Sequence, residues 1–242
     1  MLNLIDLKEI VLSLGNWLES QNYKGIDVNI KNPPREISTT LAFSCIGWIN
    51  LYLKYQNKEY LNKAENCLSR ILEIKSNNNL WLFPYNFRNN PPNFPYSCEN
   101  FMTLEALFYY INNIRQRRDV IETIDQVINS ILKYIGHNQE GSFWYSPNDK
   151  IEVPNISSMA SNIFAKSCLV LKNEGYLEKA NLFASYCIKN QRRDGGYNYF
   201  VNKDMVYIPY HVLEVWELLE ANKTINSQKI KKSVSQAINF LD

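Results

Sequence analysis

The sequence predicts an all-α protein built from repeated helical hairpins, arranged as an α/α toroid or as an open solenoid. Apolar residues recur at helical spacing along almost all of the 242 residues, with little of the alternation typical of strands. Similar helical segments recur at steps of 54, 60, 56 and 53 residues, and such a period is typical of helical repeats. Amphipathic helices also alternate with more apolar ones, which indicates hairpins that each have an outer and an inner helix.

The amphipathic, outer helices carry Lys, Glu and Asn on one face. They read "DLKEIVLSLGNWL" from Asp6, "YLNKAENCLSRIL" from Tyr60, "VIETIDQVINSIL" from Val120, "YLEKANLFASYCI" from Tyr176 and "KIKKSVSQAINFL" from Lys229. The first four are each followed by a long loop that leads into a second helix. The inner helices read "STTLAFSCIGWINLYLKY", "CENFMTLEALFYYINN", "ISSMASNIFAKSCLVLK" and "YHVLEVWELLEAN". A helix that is apolar over most of its surface must be buried on most sides.

Four hairpins and a fifth outer helix make nine helices in a single domain over residues 1–242. The predicted helices cover 3–20, 38–55, 59–75, 98–114, 119–136, 156–173, 176–190, 209–222 and 227–241. Trp48 and Trp216 lie in the middle of inner helices among apolar residues, so we expect both in the core. The last outer helix has no inner partner, so we expect an open ring or one that closes on another chain, with a homo-oligomer formed through this C-terminal helix.

Charge and cysteine content narrow the range of partners. Lys and Arg number 26 and Asp and Glu 24, so a net charge of +2 gives no electrostatic reason to expect nucleic acid. No apolar run approaches the roughly 20 residues of a membrane span, and the first residues lack the pattern of a signal peptide. The five cysteines are scattered without a Cys-x-x-Cys pair, so we expect buried thiols and a cytoplasmic location. No cofactor is expected, and two distant histidines give no metal site.

The loop "NQRRDGGYNYF" at residues 190–200 has a scaffold interpretation. Gly195 and Gly196 can supply the positive φ of a helix end or tight turn. Asp194 can bind backbone amides inside that turn, and Gln191 can hold the loop against the preceding helix. A phosphate loop would need a strand before it and a helix immediately after it, and neither is predicted here.

Two of the loops carry a family resemblance. "NQRRDGGYNYF" and "NQEGSFWYSP" resemble the Gln-x-x-Asp-Gly-aromatic repeat of squalene-cyclase and protein-prenyltransferase β-subunit folds, in which the repeat is a clasp between helices. The resemblance implies the α/α-toroid superfamily. The residues that carry chemistry in those families are missing, because there is no Asp-x-Asp-Asp sequence and no Asp-x-Cys with a suitably spaced downstream His. The Cys and Cys-His elements of lanthionine cyclases are missing too.

A second resemblance concerns the openings of two inner helices. "FPYSCENFMTLEALFYYI" and "YIPYHVLEVWELL" resemble the Pro-Tyr-Ser and Tyr-His openings found in α/α toroids of polysaccharide metabolism, including glucuronyl C5-epimerase-like proteins. This resemblance implies an epimerase, lyase or hydrolase that acts on a glycan, in cell-surface polysaccharide metabolism.

The candidate substrate-binding residues lie in the loops that lead into the inner helices, because a ring of hairpins gathers those loops at one mouth. Aromatic rings there can stack on the C–H faces of a sugar, and arginines can pair with a uronic-acid carboxylate. The predicted substrate-binding residues are Arg35, Tyr85, Arg88, Tyr96, Trp144 and Tyr145. Asp27 is a further polar candidate in the first loop.

The candidate catalytic residues are Glu99, Tyr207, Tyr210 and His211. Glu99 and His211 lie near the starts of the second and fourth inner helices, so their side chains are expected to face each other across the pocket. A carboxylate and an imidazole in that arrangement can act as base and acid at neutral pH, with a tyrosine as proton donor.

Three function classes remain open from the sequence. The first is a carbohydrate-active enzyme, an epimerase, lyase or hydrolase, that acts on a glycan or on a polysaccharide containing uronic acid. The second is a module that binds a glycan or a protein without turnover, and the third is an isoprenoid-binding relative of the terpenoid toroids. A cavity lined by Tyr, Glu, Asp and His favours a sugar, whereas Phe, Leu and Trp favour an isoprenoid. Two facing groups with shifted pKa values would separate the enzyme from the binding module.

Overall fold

The computed structural model describes residues 7–21, 24–25 and 33–241 and confirms the all-α prediction within them. The described residues form nine helices. These are α1 (Leu7–Ser20), α2 (Ser38–Tyr55), α3 (Lys58–Glu73), α4 (Ser97–Asn113), α5 (Arg118–Tyr134), α6 (Pro154–Leu171), α7 (Glu174–Lys189), α8 (Ile208–Ile225) and α9 (Gln228–Asn239). Every predicted helix is present with its ends within three residues, except that residues 3–6 of the first lie outside the described part.

The described strands are confined to loops between outer and inner helices. Strands β1 (Lys24–Gly25) and β2 (Arg35–Glu36) pair antiparallel before α2. Strands β3 (Leu82–Phe83) and β4 (Phe94–Pro95) pair in the same way before α4. Each ladder is only two residues long, so the strands shape the loops and contribute little to the core.

The outer helices bury one stripe, as their sequence pattern predicts. In α3 the buried residues Ala64, Cys67, Leu68 and Ile71 recur at helical spacing. The Asn57 side chain accepts a bond of 2.9 Å from the backbone N–H of Glu59 and so caps the start of α3. Such a cap satisfies one of the free N–H groups of the first turn.

The inner helices are buried more extensively, and α6 is buried along most of its length. Trp48 in α2 is a core residue with 2% of its surface exposed, as expected. Trp216 in α8 is not: 59% of its surface is exposed, so the prediction of a core residue was wrong. Apart from Glu214 and Glu217, the residues nearest to Trp216 in α8 are apolar, and this pattern does not reveal which face of the helix the described residues leave uncovered.

Three inner helices share one length and one ending. Helices α2, α6 and α8 each contain 18 residues. Each is followed by a single residue in the left-handed conformation, Gln56, Lys172 or Asn226, with φ of 54°, 52° and 54°. The left-handed residue ends the helix and leaves one further residue before the next outer helix begins. Positions along these three helices therefore correspond one to one.

The chain divides into two compact units. The first unit comprises Met1–Pro95 and Met102–Thr123, and the second comprises Tyr96–Phe101 and Ile124–Asp242. The core of the second unit includes a cluster of buried residues from α7, α8 and α9. Its members are Ala184, Cys187, Tyr197, Val215, Leu218, Ile230, Val234 and Ala237. The predicted single domain over 1–242 stays a prediction.

The second unit contains the clasp that the sequence predicts, in two copies 54 residues apart. Gln191 forms a β-bridge with Tyr197, and His137 forms the equivalent bridge with Phe143. The Gln191 Nε2 group donates to the Gly195 carbonyl at 2.9 Å and to the Ser233 carbonyl of α9 at 2.8 Å. The scaffold interpretation of this loop is thereby confirmed, because Gln191 ties the turn after α7 to the next outer helix.

None of the helices within the described ranges is long and apolar enough to cross a membrane.

Candidate functional site

The loops before the inner helices of the second unit contact one another. The backbone N–H of Ser97, at the start of α4, donates to the Tyr145 carbonyl in the α5–α6 loop at 3.0 Å. The N–H of Val201 in the α7–α8 loop donates to the Glu152 carbonyl in the α5–α6 loop at 3.4 Å. This loop surface carries most of the predicted site residues, namely Tyr96, Glu99, Trp144, Tyr145, Tyr207 and Tyr210.

Three tyrosines from the α7–α8 loop and the first turn of α8 pack together, and we call them the tyrosine cluster (Tyr199, Tyr207 and Tyr210). The ring centroids of Tyr199 and Tyr210 are 4.7 Å apart, and those of Tyr199 and Tyr207 are 5.3 Å apart in an edge-to-face arrangement. Tyr207 is 46% exposed and Tyr210 is 44% exposed. Tyr207 and Tyr210 therefore present aromatic side chains to solvent, while Tyr199 beside them is half-buried.

The backbone around the tyrosine cluster is held by the loop and by the helix end. The N–H of Tyr199 donates to the Met205 carbonyl at 2.9 Å, and the N–H of Tyr210 donates to the Tyr207 carbonyl at 3.0 Å. An ion pair of 2.5 Å between Arg192 and Asp204 closes the same loop. These bonds hold the backbone that carries the three rings, and a preorganised backbone lowers the entropy lost on binding.

The residues at the start of α4 are less accessible than the sequence predicts. Tyr96 is only 2% exposed, and its ring lies edge-on to Tyr145 with centroids 5.7 Å apart. The prediction that Tyr96 stacks on a sugar was therefore wrong, because its faces are covered by protein. Glu99 is 5% exposed. Burial and the charge of Glu99 raise the pKa of the Cys98 thiol to about 11, so Cys98 is protonated at neutral pH.

Trp144 and Tyr145 remain candidates at the edge of this surface. Both are half-buried. The Lys150 ammonium lies 4.2 Å from the centre of the Trp144 ring, which places a cation on one ring face. A uronate carboxylate bound beside the indole could form an ion pair with the Lys150 ammonium. A neutral sugar could make only apolar contact with the part of the Trp144 ring that remains accessible.

His211 does not face a pocket, which corrects the predicted acid–base pair. Its exposed fraction is 1%. The Nδ1 atom accepts a bond of 3.1 Å from the Tyr197 backbone N–H, and Nε2 lies 2.9 Å from the Ala237 carbonyl of the outer helix α9. Both ring nitrogens are thus bonded to backbone groups of the scaffold.

The preceding repeat of the chain explains why His211 is structural. Fifty-four residues earlier, the Ser157 hydroxyl accepts a bond of 3.0 Å from the Phe143 backbone N–H. Ser157 and His211 therefore have the same role in successive repeats, where each holds the strand-like end of the clasp against an inner helix. Because this repeat position holds a serine in one repeat and a histidine in the next, the sequence does not reveal that the two residues share a structural role. His211 therefore resembled a catalytic residue.

A cavity of about 380 Å³ lies beside the loops of the first unit. Its lining mixes charged, hydroxyl, amide and apolar groups, from Arg35, Glu36, Ser38, Ile74, Ser76, Trp81, Leu82, Pro84 and Asn93. The Glu36 carboxylate is paired with Arg70. Within the described ranges no carboxylate is ion-paired with Arg35, whose Nη1 donates to the Pro84 carbonyl at 3.3 Å. Arg35 therefore lies on a concave surface, and its predicted contact with a substrate stays a prediction.

The other predicted residues of the first unit have different roles. Tyr85 is 1% exposed, and its hydroxyl accepts from the Arg35 backbone N–H at 2.7 Å and donates to the Pro33 carbonyl at 3.2 Å. Tyr85 therefore anchors the segment that carries Arg35, and its predicted contact with sugar was wrong. Arg88 is half-buried in a turn with φ of 48° and does not line the cavity. Asp27 lies outside the described residues.

A second cavity, of about 320 Å³, lies between α1 and α2, and we call it the α1–α2 groove. It is mainly apolar and is lined by Gly15, Leu18, Thr40, Phe43, Ser44, Gly47, Trp48 and Leu51. Neither cavity is lined by Glu99 or His211. Neither of these two cavities is therefore the predicted pocket between Glu99 and His211.

Glu214 is a buried carboxyl that the sequence analysis missed. It is 1% exposed, and its Oε1 atom has no hydrogen-bond partner among the described residues. Burial raises its pKa well above the usual range, and a hydrogen bond with Cys187 lowers it only in part. Its neighbour Glu217 bonds the Asn162 amide of α6 at 2.6 Å. In the sequence the two glutamates resemble solvated helix positions, and their spacing of three within an apolar helix was the available signal.

Across the described ranges, no three His, Cys, Asp or Glu side chains come together as a possible metal site.

Comparison with solved structures confirms the predicted fold class. The chain is similar to a GH76 α-mannanase from Bacteroides thetaiotaomicron, with 15% identity over 96% of this chain and 70% of that chain at a TM-score of 0.67. It is also similar to a cellobiose 2-epimerase from Bacillus thermoamylovorans, with 15% identity, 84% and 59% coverage and a TM-score of 0.68. A family 88 glycosyl hydrolase from Bacteroides vulgatus matches at 13% identity, with 95% and 71% coverage and a TM-score of 0.67.

These solved structures are α/α-toroid carbohydrate enzymes, and the chain shares their fold over most of its length. The chain spans 59 to 71% of the length of the three. At identities of 13 to 15% the likeness establishes the fold alone. No family model and no curated protein sequence matches the chain.

Proposed function

We propose that this chain recognises a glycan through the tyrosine cluster at the start of α8. The observation that carries the proposal is that Tyr207 and Tyr210 stand 46% and 44% exposed around Tyr199 on a fixed backbone. Exposed aromatic rings with polar tips suit a ligand that has apolar C–H faces and hydroxyl edges, as a pyranose does. The shared fold with carbohydrate-active toroid enzymes supports the same assignment.

A uronic acid is the sugar class that we propose. Arg35 lines the cavity of the first unit with a guanidinium that can bind a carboxylate in bidentate fashion. In the second unit the Lys150 ammonium lies over Trp144 and supplies a further positive charge beside an aromatic ring. Both features favour an anionic sugar over a neutral one, and they come from separate parts of the chain.

Turnover of the glycan, as a hydrolase, epimerase or lyase, is a proposal that rests on the fold. The predicted pair of Glu99 and His211 does not support it, because His211 is committed to the scaffold.

The isoprenoid alternative has weaker support. The apolar α1–α2 groove is lined by residues within helices, whereas the loop surface is lined by tyrosines and charged groups. The five cysteines are free thiols, which supports the proposed cytoplasmic location.

A glycan array followed by calorimetry tests the proposal. We expect wild-type protein to bind oligosaccharides that contain uronic acid, and the Tyr207→Ala, Tyr210→Ala double variant to lose at least about tenfold in affinity, equivalent to ~1.4 kcal/mol. Tyr134→Ala is the matched control, because Tyr134 is 38% exposed at the end of α5, outside the cluster. Incubation with the bound oligosaccharide and chromatography of the products tests turnover. Unchanged binding by the double variant, or binding of no glycan, would contradict the proposal.

A further inference from the structure

Helix α8 has an apolar face that none of the described residues covers. Ile208, Val212, Trp216 and Leu219 are 50%, 47%, 59% and 42% exposed, and their spacing places them on one side of the helix. We call this set the apolar face of α8. Adjacent large apolar residues on a protein surface typically mark an interaction site.

The corresponding face of the preceding inner helix, α6, is buried within the chain. Because α6 and α8 have equal lengths and equal endings, the corresponding residues of α6 are Pro154, Ser158, Asn162 and Ala165, and all four are buried. The Asn162 amide on that face bonds Glu217 of α8. Trp216 therefore occupies, as the ninth residue of its helix, the position from which Asn162 contacts the next inner helix.

The same correspondence identifies a receiving position on α2. Glu217, which meets Asn162, is the tenth residue of α8, and the tenth residue of α2 is Gly47. A Cβ atom added to Gly47 would meet none of the described residues within 4 Å, so the space in front of this glycine is open. Gly47 lines the α1–α2 groove of about 320 Å³, whose other lining residues include Leu18, Phe43 and Leu51. The groove thus lies on the side of α2 where a preceding inner helix would pack.

We propose that two copies of this chain associate head to tail, with the apolar face of α8 from one copy in the α1–α2 groove of the next. Trp216 of one copy then lies opposite Gly47 of the other, in the register that Asn162 and Glu217 use within the chain. A large side chain meets a residue that has none, so the two surfaces are complementary in shape as well as in polarity. The contact continues the stacking of inner helices beyond a single chain.

The residue types at this contact fit a protein–protein interface. Tryptophan is enriched among the residues that dominate binding energy, and such residues sit in pockets on the partner. The contact is heterologous, so each added copy presents a fresh apolar face and leaves a groove free. The assembly therefore grows with concentration unless it closes into a ring. The sequence predicts association through the last outer helix, whereas this surface belongs to the inner helix α8.

The first test measures mass in solution by light scattering or sedimentation. We expect the wild-type chain to exceed the 28.4 kDa of one copy and to gain mass as its concentration rises. Trp216→Glu places a charge on the apolar face of α8, and Gly47→Leu fills the groove. Each variant alone should have the mass of one copy. Leu169→Glu is the control, because Leu169 is 63% exposed on another helix, and it should associate like the wild type.

Mixing the two variants tests the head-to-tail arrangement itself. The Gly47→Leu copy keeps its apolar face and the Trp216→Glu copy keeps its groove, so an equimolar mixture should form a complex of two copies and no larger one. If Gly47→Leu alone still associates, the contact joins two α8 faces and the proposal is wrong. A wild-type chain with the mass of one copy at every concentration overturns it as well.

Circular dichroism checks that each variant is folded. If Trp216→Glu loses helicity, Leu219→Glu replaces it on the same face, because Leu219 is 42% exposed. If Gly47→Leu loses helicity, Phe43→Glu replaces it at the groove, because Phe43 is 59% exposed. The same masses are expected from the replacements, and a folded replacement that associates like the wild type contradicts the proposal.

Discussion

At the residue scale, a histidine and a serine show how one repeat position can be filled by different chemistry. His211 and Ser157 both accept a backbone N–H at the end of a clasp, and both are buried. The histidine gains a second bond with the Ala237 carbonyl, which the shorter serine does not provide in its repeat. A lone histidine near the mouth of a helical ring is therefore better judged from its counterparts in the other repeats.

Replacement of His211 by alanine should reduce stability without reducing glycan affinity. The change removes the acceptor for the Tyr197 N–H and the partner of the Ala237 carbonyl inside the second unit. Each buried group left without a partner costs about 1–3 kcal/mol. Urea unfolding should show the loss, while calorimetry at a temperature where the variant is folded should show wild-type affinity. A folded variant that lost only binding or turnover would restore His211 to the functional site.

The buried Glu214 should make stability fall as pH rises. Burial raises its folded pKa well above the unfolded value of about 4.3. The folded state therefore holds a proton that the unfolded state releases, so the contribution is complete below the unfolded pKa and is lost as pH rises through the folded pKa.

Comparison with Glu214→Gln isolates this effect. Between about pH 5 and about pH 8, the free energy of unfolding of the wild type should fall relative to that of the variant, by at most about 1.4 kcal/mol per pH unit. Glu178→Gln, at an exposed position of α7, should run parallel to the wild type. A constant difference between wild type and Glu214→Gln across this range would show that Glu214 is not held neutral.

At the element scale, the turn after α7 is a structural joint that depends on one glycine. Gly195 has φ of 95°, and a Cβ atom there would lie 2.2 Å from the Gln236 carbonyl oxygen of α9. Gly141 is in the same situation one repeat earlier, with φ of 99° and its Cβ position 2.6 Å from the Leu182 carbonyl oxygen. In both repeats the glycine lets an outer helix approach the turn closely.

Gly195→Val should therefore lower the melting temperature by several degrees. Positive φ alone costs a residue with a side chain about 1–2 kcal/mol, and about 1 kcal/mol corresponds to ~2–4 °C in a chain of this size. The contact with α9 adds to that cost. Glu178→Val is the control, since Glu178 is exposed within α7 and lies outside every contact discussed above, and it should melt close to the wild-type temperature. Equal melting of Gly195→Val and wild type would refute the scaffold role.

The helices were predictable because each helix carries its own signal, whereas the site was not. Apolar spacing marks an outer helix such as α3, and an apolar surface all round marks an inner helix such as α6. Accessibility depends on neighbours distant in sequence. Tyr96 and Tyr207 each immediately precede the first turn of an inner helix. Tyr96 is buried against Tyr145, whereas Tyr207 is exposed to solvent. Trp216 shows the converse, because the mainly apolar sequence of α8 cannot reveal that the described residues leave this side chain exposed.

At the scale of the whole molecule, the chain combines a repeated scaffold with loops that differ between repeats. The clasps of the second unit keep their glycine and their bridge at a fixed spacing. The loop residues beside them change from one repeat to the next, and Tyr199, Tyr207 and Tyr210 gather in one repeat alone among those described. Function in a fold of this kind resides in such variable loops, which the scaffold positions.

The proposed glycan site at the tyrosine cluster can be tested by the structure of a complex with a uronic-acid oligosaccharide selected on the array. We predict a sugar ring in van der Waals contact with Tyr207 or Tyr210, its C–H face against the phenol ring, and His211 in its present bonds with Tyr197 and Ala237. A sugar bound elsewhere with the tyrosine cluster still open to solvent, or a His211 side chain turned onto the ligand, would contradict this prediction.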